Sequence, residues 1–301
     1  MNLPFSQGNR MTTHSITLPD GRSFAYAEYG IPDGRVVLWM HGLPGSRRDW
    51  SVGDGPAFLT ELGLRLIAPD RPGFGRSSPH TGRTYASFVA DLASLTARLA
   101  VESGVVLGYS GGTPYALAVG AEQYCGPMRV DGVVLVSPIG PRSTPQFGRG
   151  LGQTDKVMLM LSRFPPAARL AMRPAIRGAN SDPDKFLRTI RKEFSASAND
   201  LRLLDSPDTA ERVMTAFVEA TAQGAGGCVS DWALWRNDWA LDLTGSQAPI
   251  HIWHGDDDPL VPLRHAQHLQ RTCPRARLDV LSGEGHLHDD NTWRQVLSAS
   301  P

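Results

Sequence analysis

Residues 105–119 read Val105-Val106-Leu107-Gly108-Tyr109-Ser110-Gly111-Gly112-Thr113-Pro114-Tyr115-Ala116-Leu117-Ala118-Val119. The three apolar residues at the start suit a buried strand. The run after Gly112 suits a helix with Pro114 in its first turn, where no N–H is needed. Between them lies a G-x-S-x-G pentapeptide, residues 108–112. A strand, a sharp turn and a helix in that order strain the serine backbone and lift Oγ above the sheet edge. They also set Ser110 at a helix N-terminus, where free N–H groups favour negative charge. Glycines on both sides let neighbouring chain pass closely. The same five residues would also serve as a glycine-rich loop around a structural serine, so the reading turns on the rest of the chain.

Working outward, apolar runs and helical patterns alternate. Residues 14–18 and 23–29 alternate polar and apolar around Pro19-Asp20-Gly21, which predicts a hairpin. Residues 36–40 form a continuous apolar run, as in a strand buried on both faces. Residues 57–62 read as a helix, 64–68 as a strand, and 85–100 as a helix with Phe88, Val89, Leu92, Leu95 and Leu99 on one face. A further strand is predicted at 133–136. This alternation argues for a parallel sheet with right-handed crossovers.

The alternation stops after residue 140. Helical patterns cover 155–164, 165–177, 182–196 (with Asp182 as N-cap) and 207–223. Trp232, Trp235 and Trp239 are spaced for one helical face, and their stripe suits the core of the insertion better than a ligand wall. The sheet pattern resumes with strands at 249–253 and 277–281 and helices at 263–270 and 293–298. The expected organisation is a first part of the core over 14–140, a helical cap over 141–247, and a second part of the core over 248–301.

Composition narrows the function. The 301 residues suit one α/β domain with an insertion, and 41% are hydrophobic, enough for a sizeable core. Thirty basic residues balance thirty acidic ones, so no basic surplus argues for nucleic acid or an anionic membrane. Cys125, Cys228 and Cys273 are far apart and odd in number, as expected of small buried hydrophobes in a reducing compartment. Residues 1–13 lack the apolar core of a signal peptide, and no run approaches a membrane span. The expectation is a cytoplasmic protein. Met11 offers an alternative start, with the ten residues before it a loose leader.

Five motifs stand at the ends of predicted strands. They are His41-Gly42, the stretch Asp70-Arg71-Pro72-Gly73-Phe74-Gly75-Arg76-Ser77, the pentapeptide 108–112, Gly255-x-x-Asp258-x-x-Val261-Pro262, and Gly283-x-Gly285-His286. In kind and order they resemble the α/β-hydrolase superfamily, and the resemblance covers nearly the whole chain. It implies the α/β-hydrolase fold: a mostly parallel eight-stranded sheet flanked by helices, with a helical cap between the sixth and seventh strands. The order serine, acid, histidine is also that of this family.

The resemblance implies a catalytic triad. Ser110 would be the nucleophile and His286 the base that activates it, since a free hydroxyl is a poor nucleophile. An acid would orient the imidazole. Asp256, Asp257 and Asp258 are adjacent, and the family spacing to Val261-Pro262 selects Asp258. The backbone N–H groups of Leu43 and Gly111 would form the oxyanion hole. Gly42, His41 and Tyr109 would support it. His254 suits a strand end, and Asp70 and Arg71 suit ties within a turn. His288, Asp289 and Asp290 follow His286 without a complete metal-ligand set elsewhere. No metal and no cofactor are expected.

The function implied is a serine hydrolase acting on a small, mostly apolar carboxylic ester or related acyl substrate. Dehalogenases and epoxide hydrolases of the family carry aspartate where this chain has Ser110. Cofactor-free haloperoxidases often place methionine after the serine, where this chain has Gly111. A C–C bond hydrolase, an acyltransferase and an aminopeptidase remain, the last weakened because residues 108–112 depart from Gly-Gly-Ser-Trp-Gly. A receptor that keeps the triad but only binds its ligand is the alternative outside enzymes; turnover separates the two.

Overall fold

The computed structural model describes residues 13–51, 56–244 and 248–300. The choice between Met1 and Met11, and the expected end of the insertion at Gln247, lie outside the described residues. The strands are β1 (Thr13–Thr17), β2 (Ser23–Gly30), β3 (Arg35–Met40), β4 (Leu64–Pro69), β5 (Ser103–Tyr109), β6 (Tyr124–Cys125), β7 (Met128–Val136), β8 (Ile250–Gly255) and β9 (Ala276–Leu281). Eight of them lie in the order β1-β2-β4-β3-β5-β7-β8-β9, and β6 adds a two-residue hairpin to β7. Pairs from β4 through β9 along this path are parallel, while β1 and β2 pair antiparallel. This is the α/β-hydrolase fold expected from the motifs.

The central strands are buried along nearly their whole length because helices cover both faces. One face packs against α1 (Ala57–Glu61) and α11 (Asp290–Ser298) through Phe58, Leu59, Trp293, Val296 and Leu297. The other packs against α2 (Tyr85–Arg98), α3 (Thr113–Ala121) and α10 (Arg264–Thr272) through residues such as Leu92, Leu95, Val119 and Leu269. β7 starts five residues before the apolar run at 133–136, because the exposed Arg129 and half-buried Asp131 alternate with the buried Met128 and Val130.

Between β7 and β8 lie α4 (Gln153–Leu161), α5 (Pro165–Ser181), α6 (Pro183–Glu193), α7 (Ala198–Leu204), α8 (Pro207–Ala220) and α9 (Gly226–Arg236), with no strand among the described residues. Asp182 caps α6, its Oδ1 accepting the Lys185 N–H at 3.0 Å. Two details differ from expectation. The seven-residue α7 falls in a stretch where no helix is predicted. Trp239 does not share a helical face with Trp232 and Trp235, because α9 ends at Arg236 and Asn237 is extended. Among the described residues no helix is long and apolar enough to cross a membrane.

Candidate active site

The site is built at the C-terminal ends of β3, β5 and β8 and in the loop after β9. At the end of β5, Ser110 takes φ +48°, a left-handed conformation that L residues rarely adopt. The turn is tight enough to exclude side chains around it: a Cβ on Gly108 would meet Ala116 Cβ at 2.8 Å, and one on Gly112 would meet Met40 O at 2.0 Å. Gly108 is therefore a steric necessity of the turn itself, and Gly112 of the close approach of the end of β3.

Three side chains from distant sequence meet here. His286 Nε2 lies 3.1 Å from Ser110 Oγ, and His286 Nδ1 lies 2.8 Å from Asp258 Oδ2. With Asp258 ionised, Nδ1–H donates to the carboxylate and Nε2 is left to accept the Ser110 hydroxyl proton. Asp258 Oδ1 accepts the N–H groups of Leu260 and Val261 at 2.8 and 2.9 Å. That bonding is the physical content of the Asp-x-x-Val spacing. Burial works to raise the Asp258 pKa, but His286, with His254 and the Val261 amide adding, outweighs it and holds the carboxyl below its usual range. Burial likewise opposes charge on His286, yet Asp258, with smaller help from Asp200 and Asp155, raises its pKa above the usual value. Asp256 accepts the Gly283 N–H instead. His254 Nε2 meets Val261 O at 2.8 Å, bracing the loop that carries the acid.

The loop after β3 runs beside the elbow. A Cβ on Gly111 would fall 2.5 Å from Leu43 Cβ and 3.1 Å from Leu43 N, so the Leu43 and Gly111 backbones lie side by side. Gly42 packs on Tyr109, where a Cβ would come within 3.1 Å of the ring. His41 is buried; its Nδ1 meets Gly42 O at 2.9 Å and its Nε2 accepts the Arg71 N–H at 3.3 Å. Burial, with the Arg71 charge adding, pushes its pKa well down, so the ring is a neutral brace. Arg71 donates to the carbonyls of His41 and Gly42 and pairs with Asp231 on α9. Asp70 accepts from Arg47 and the Arg76 N–H.

Three further residues have no local motif to mark them. Ser137, at the end of β7, lies 2.8 Å from His288 Nε2, and His288 Nδ1 lies 2.7 Å from Glu284 Oε2. This second Ser-His-acid chain has the connectivity of the first. Ser137 is fully buried and does not line the cavity, so its hydroxyl has no access to a ligand. The third is Asp200 on α7, whose carboxylate accepts the N–H groups of His286 and Leu287 at 3.0 and 2.8 Å. Ser197-x-x-Asp200 is a capping-box pattern that would have signalled α7, though not the contact. Asp289 caps α11, and among the described residues no group of three or more His, Cys, Asp or Glu side chains is placed to hold a metal.

Ser110, His286, Gly42 and Leu43 open onto a cavity of about 470 Å³ between the sheet and the insertion. Its walls are mostly apolar, with Met158, Met172, Phe186, Phe194 and Trp232 prominent. Trp235 and Trp239 stay in the core, so only one member of the tryptophan stripe faces a ligand. Asp155, on α4, is an acidic group in this wall; its Oδ1 accepts the Trp232 indole N–H at 2.8 Å. Ser110 itself is 8% exposed, reached through this cavity.

A family model described as alpha/beta hydrolase fold matches residues 35–288. The chain therefore belongs to the α/β-hydrolase fold family, as a serine hydrolase of that fold. A non-heme chloroperoxidase of Streptomyces lividans is 27% identical over 271 residues, covering 84% of each chain. A non-heme haloperoxidase of Rhodococcus erythropolis is also 27% identical, covering 90% of this chain and 92% of its own. Among solved structures, an esterase from Rhodococcus sp. ECU1013 superposes with a TM-score of 0.67 at 21% identity, covering 95% and 97% of the two chains. Two of these relatives carry names from the group that Gly111 was expected to set apart. That one residue does not separate this chain from them in overall sequence.

Proposed function

We propose that the protein cleaves a small, mostly apolar carboxylic ester or related acyl substrate through an acyl-enzyme on Ser110. The observation that carries this reading is the continuous hydrogen-bond chain from Asp258 through His286 to Ser110, opening onto an apolar cavity. Ser110 Oγ attacks the carbonyl carbon as its proton passes to His286 Nε2. The Leu43 and Gly111 N–H groups receive the oxyanion, a donor of this kind being worth about 3–4 kcal/mol of barrier. The C–O bond breaks, and the alcohol leaves with the proton from His286. Water then attacks the acyl carbon, gives its proton to His286, and the carboxylic acid departs as Ser110 regains its hydrogen. His41, Gly42 and Tyr109 support this machinery without touching the reacting atoms. Residues 141–247 act as the cap that shapes the cavity.

A second acceptor for the acyl group is hydrogen peroxide, which would release a peroxy acid by the same steps. The relatives named as haloperoxidases favour this reading. The test is intact-mass spectrometry after fluorophosphonate treatment, run beside hydrolysis of p-nitrophenyl esters of increasing chain length with and without peroxide. One adduct on Ser110 with ester turnover is the expected result. Ligand binding without adduct or turnover would replace the enzyme by a receptor, and a peracid product would make peroxide the acceptor.

A further inference from the structure

We propose that Asp200, carried by the helical insertion, is a positioning residue for His286, so that the histidine is competent only while α7 grips its loop. The inference rests on the triad reading above. Each carboxylate oxygen takes one amide: Oδ2 the His286 N–H at 3.0 Å and Oδ1 the Leu287 N–H at 2.8 Å. The carboxylate lies flat over Gly285, where a Cβ would stand 2.2–2.4 Å from its atoms. Gly285 is thus required by a residue 85 positions away. Asp200 is fully buried, and its own N–H is held by Ser197 Oγ at 3.3 Å, which fixes it at the start of α7.

The two sides of the His286 backbone are held by different parts of the protein. The insertion holds its N–H. The core holds its carbonyl, which accepts from Tyr109 OH at 3.0 Å and Ser137 Oγ at 3.3 Å. The imidazole hangs between these grips, with Phe194 of the insertion and Tyr109 of the core beside the ring. If α7 withdraws, two amides lose their acceptor and the ring loses one of its two anchors. The Nε2–Oγ distance of 3.1 Å leaves little slack for a proton transfer.

Charge follows geometry. The groups facing the imidazole are Asp258 after β8, Asp200 on α7 and Asp155 on α4, with His254 and His288 nearby. Asp200 favours the imidazolium. Its removal lowers the His286 pKa, and the acid limb of kcat/KM, which marks protonation of Nε2, moves to lower pH.

The experiment combines hydrogen exchange on the wild-type protein with kinetics of Asp200→Asn and Ser197→Ala. In wild type, the His286 and Leu287 amides should exchange slowly, together with those of α7. Asn keeps the shape but offers one acceptor, so kcat should fall by about 10²-fold, the cost of a small misplacement. KM should stay unchanged, because Asp200 does not line the cavity. The acid limb should move down in Asp200→Asn and stay put in Ser197→Ala, which loosens α7 but keeps the carboxylate. Free exchange of both amides in wild type would overturn the proposal even if no variant folds. So would an Asp200→Asn enzyme with wild-type kcat and limb, or one whose limb shift Ser197→Ala reproduces. Exchange needs no chemistry, so slow amides with no labelling at Ser110 would remove the triad reading and leave the grip intact.

Discussion

Replacing Asp231 by alanine should be among the most costly single changes in this protein. Asp231 is nearly buried on α9 and serves three partners from the core. Arg71 Nε and Nη2 lie 2.8 and 2.7 Å from its Oδ2; Arg83 and the Tyr115 hydroxyl, at 2.6 Å, share its Oδ1. Arg71 is fully buried and Arg83 nearly so. Removing one member of a buried pair costs about 3–5 kcal/mol, because the other charge is left without compensation. The orphaned Tyr115 hydroxyl adds about 1 kcal/mol. A loss of about 4–6 kcal/mol is on the order of half a typical domain's stability. Urea unfolding followed by far-UV circular dichroism would read it as a lower midpoint. Because a buried pair is often no better than apolar residues of similar size, Arg71→Met/Arg83→Met/Asp231→Leu should recover part of that loss, limited by the carbonyls of His41, Gly42, Pro72 and Gly227 that lose their donors. It should not recover activity. Arg71 also holds the carbonyls of His41 and Gly42, and a misplaced Leu43 amide would slow acyl transfer by about 10²-fold. A loss below about 1 kcal/mol in Asp231→Ala, or a triple variant less stable than the single one, would refute the reasoning.

Two further outcomes follow from the site. Ser110→Gly should melt higher, by about 1 kcal/mol of relieved strain at φ +48°, while turnover is lost; Ser110→Ala should lose turnover with stability nearly unchanged. A glycine variant that melts lower would contradict the strain. Burial pushes Asp155 up to about 6 from 3.8, so above that range the folded protein holds in the cavity wall a half-buried charge that the unfolded chain leaves in water. Asp155→Asn should therefore be more stable than wild type at pH 8, by up to about 2–3 kcal/mol, with the gain gone near pH 4. Equal stability of the two proteins at pH 8 would show the carboxylate to be better solvated than its place in the cavity wall implies.

The hydrogen-bonded set of Ser110, His286 and Asp258 was legible because each member sits in its own short motif after a strand. Gly108 is forced by the turn and Asp258 by the amides of Leu260 and Val261, while Gly112 and Gly42 are forced where the ends of β3 and β5 pack together, against Met40 and Tyr109. Local chemistry, and glycines placed at strand ends, leave a trace in spacing. Asp200, Asp231 and the Ser137–His288 pair do not, since their partners lie 86 to 160 residues away or depend on how two loops meet. No periodicity distinguishes an aspartate that grips a loop from one that faces water. Trp239 shows the complementary failure: its spacing fits a helix, but the chain turns extended at Asn237 and delivers the indole to Tyr85 by another route.

The insertion's carboxylates have a consequence for how this fold can be varied. Asp200 on α7 grips the loop that carries His286, Asp231 on α9 holds Arg71, which in turn donates to the carbonyls of His41 and Gly42, and Glu219 on α8 reaches Arg47 at 2.6 Å. The helices α4 to α6 supply much of the cavity wall, including Met158, Met172 and Phe186; at the start of α4 the Gly152 N–H donates to Leu260 O, and Asp155 acts on the His286 charge. The insertion is thus divided along its length into a half that mainly lines the cavity and a half whose carboxylates mainly hold the loops beneath it. Exchanging α4 to α6 between relatives would trade one pocket for another. Exchanging the whole insertion would dismantle the machinery that the new pocket was meant to serve.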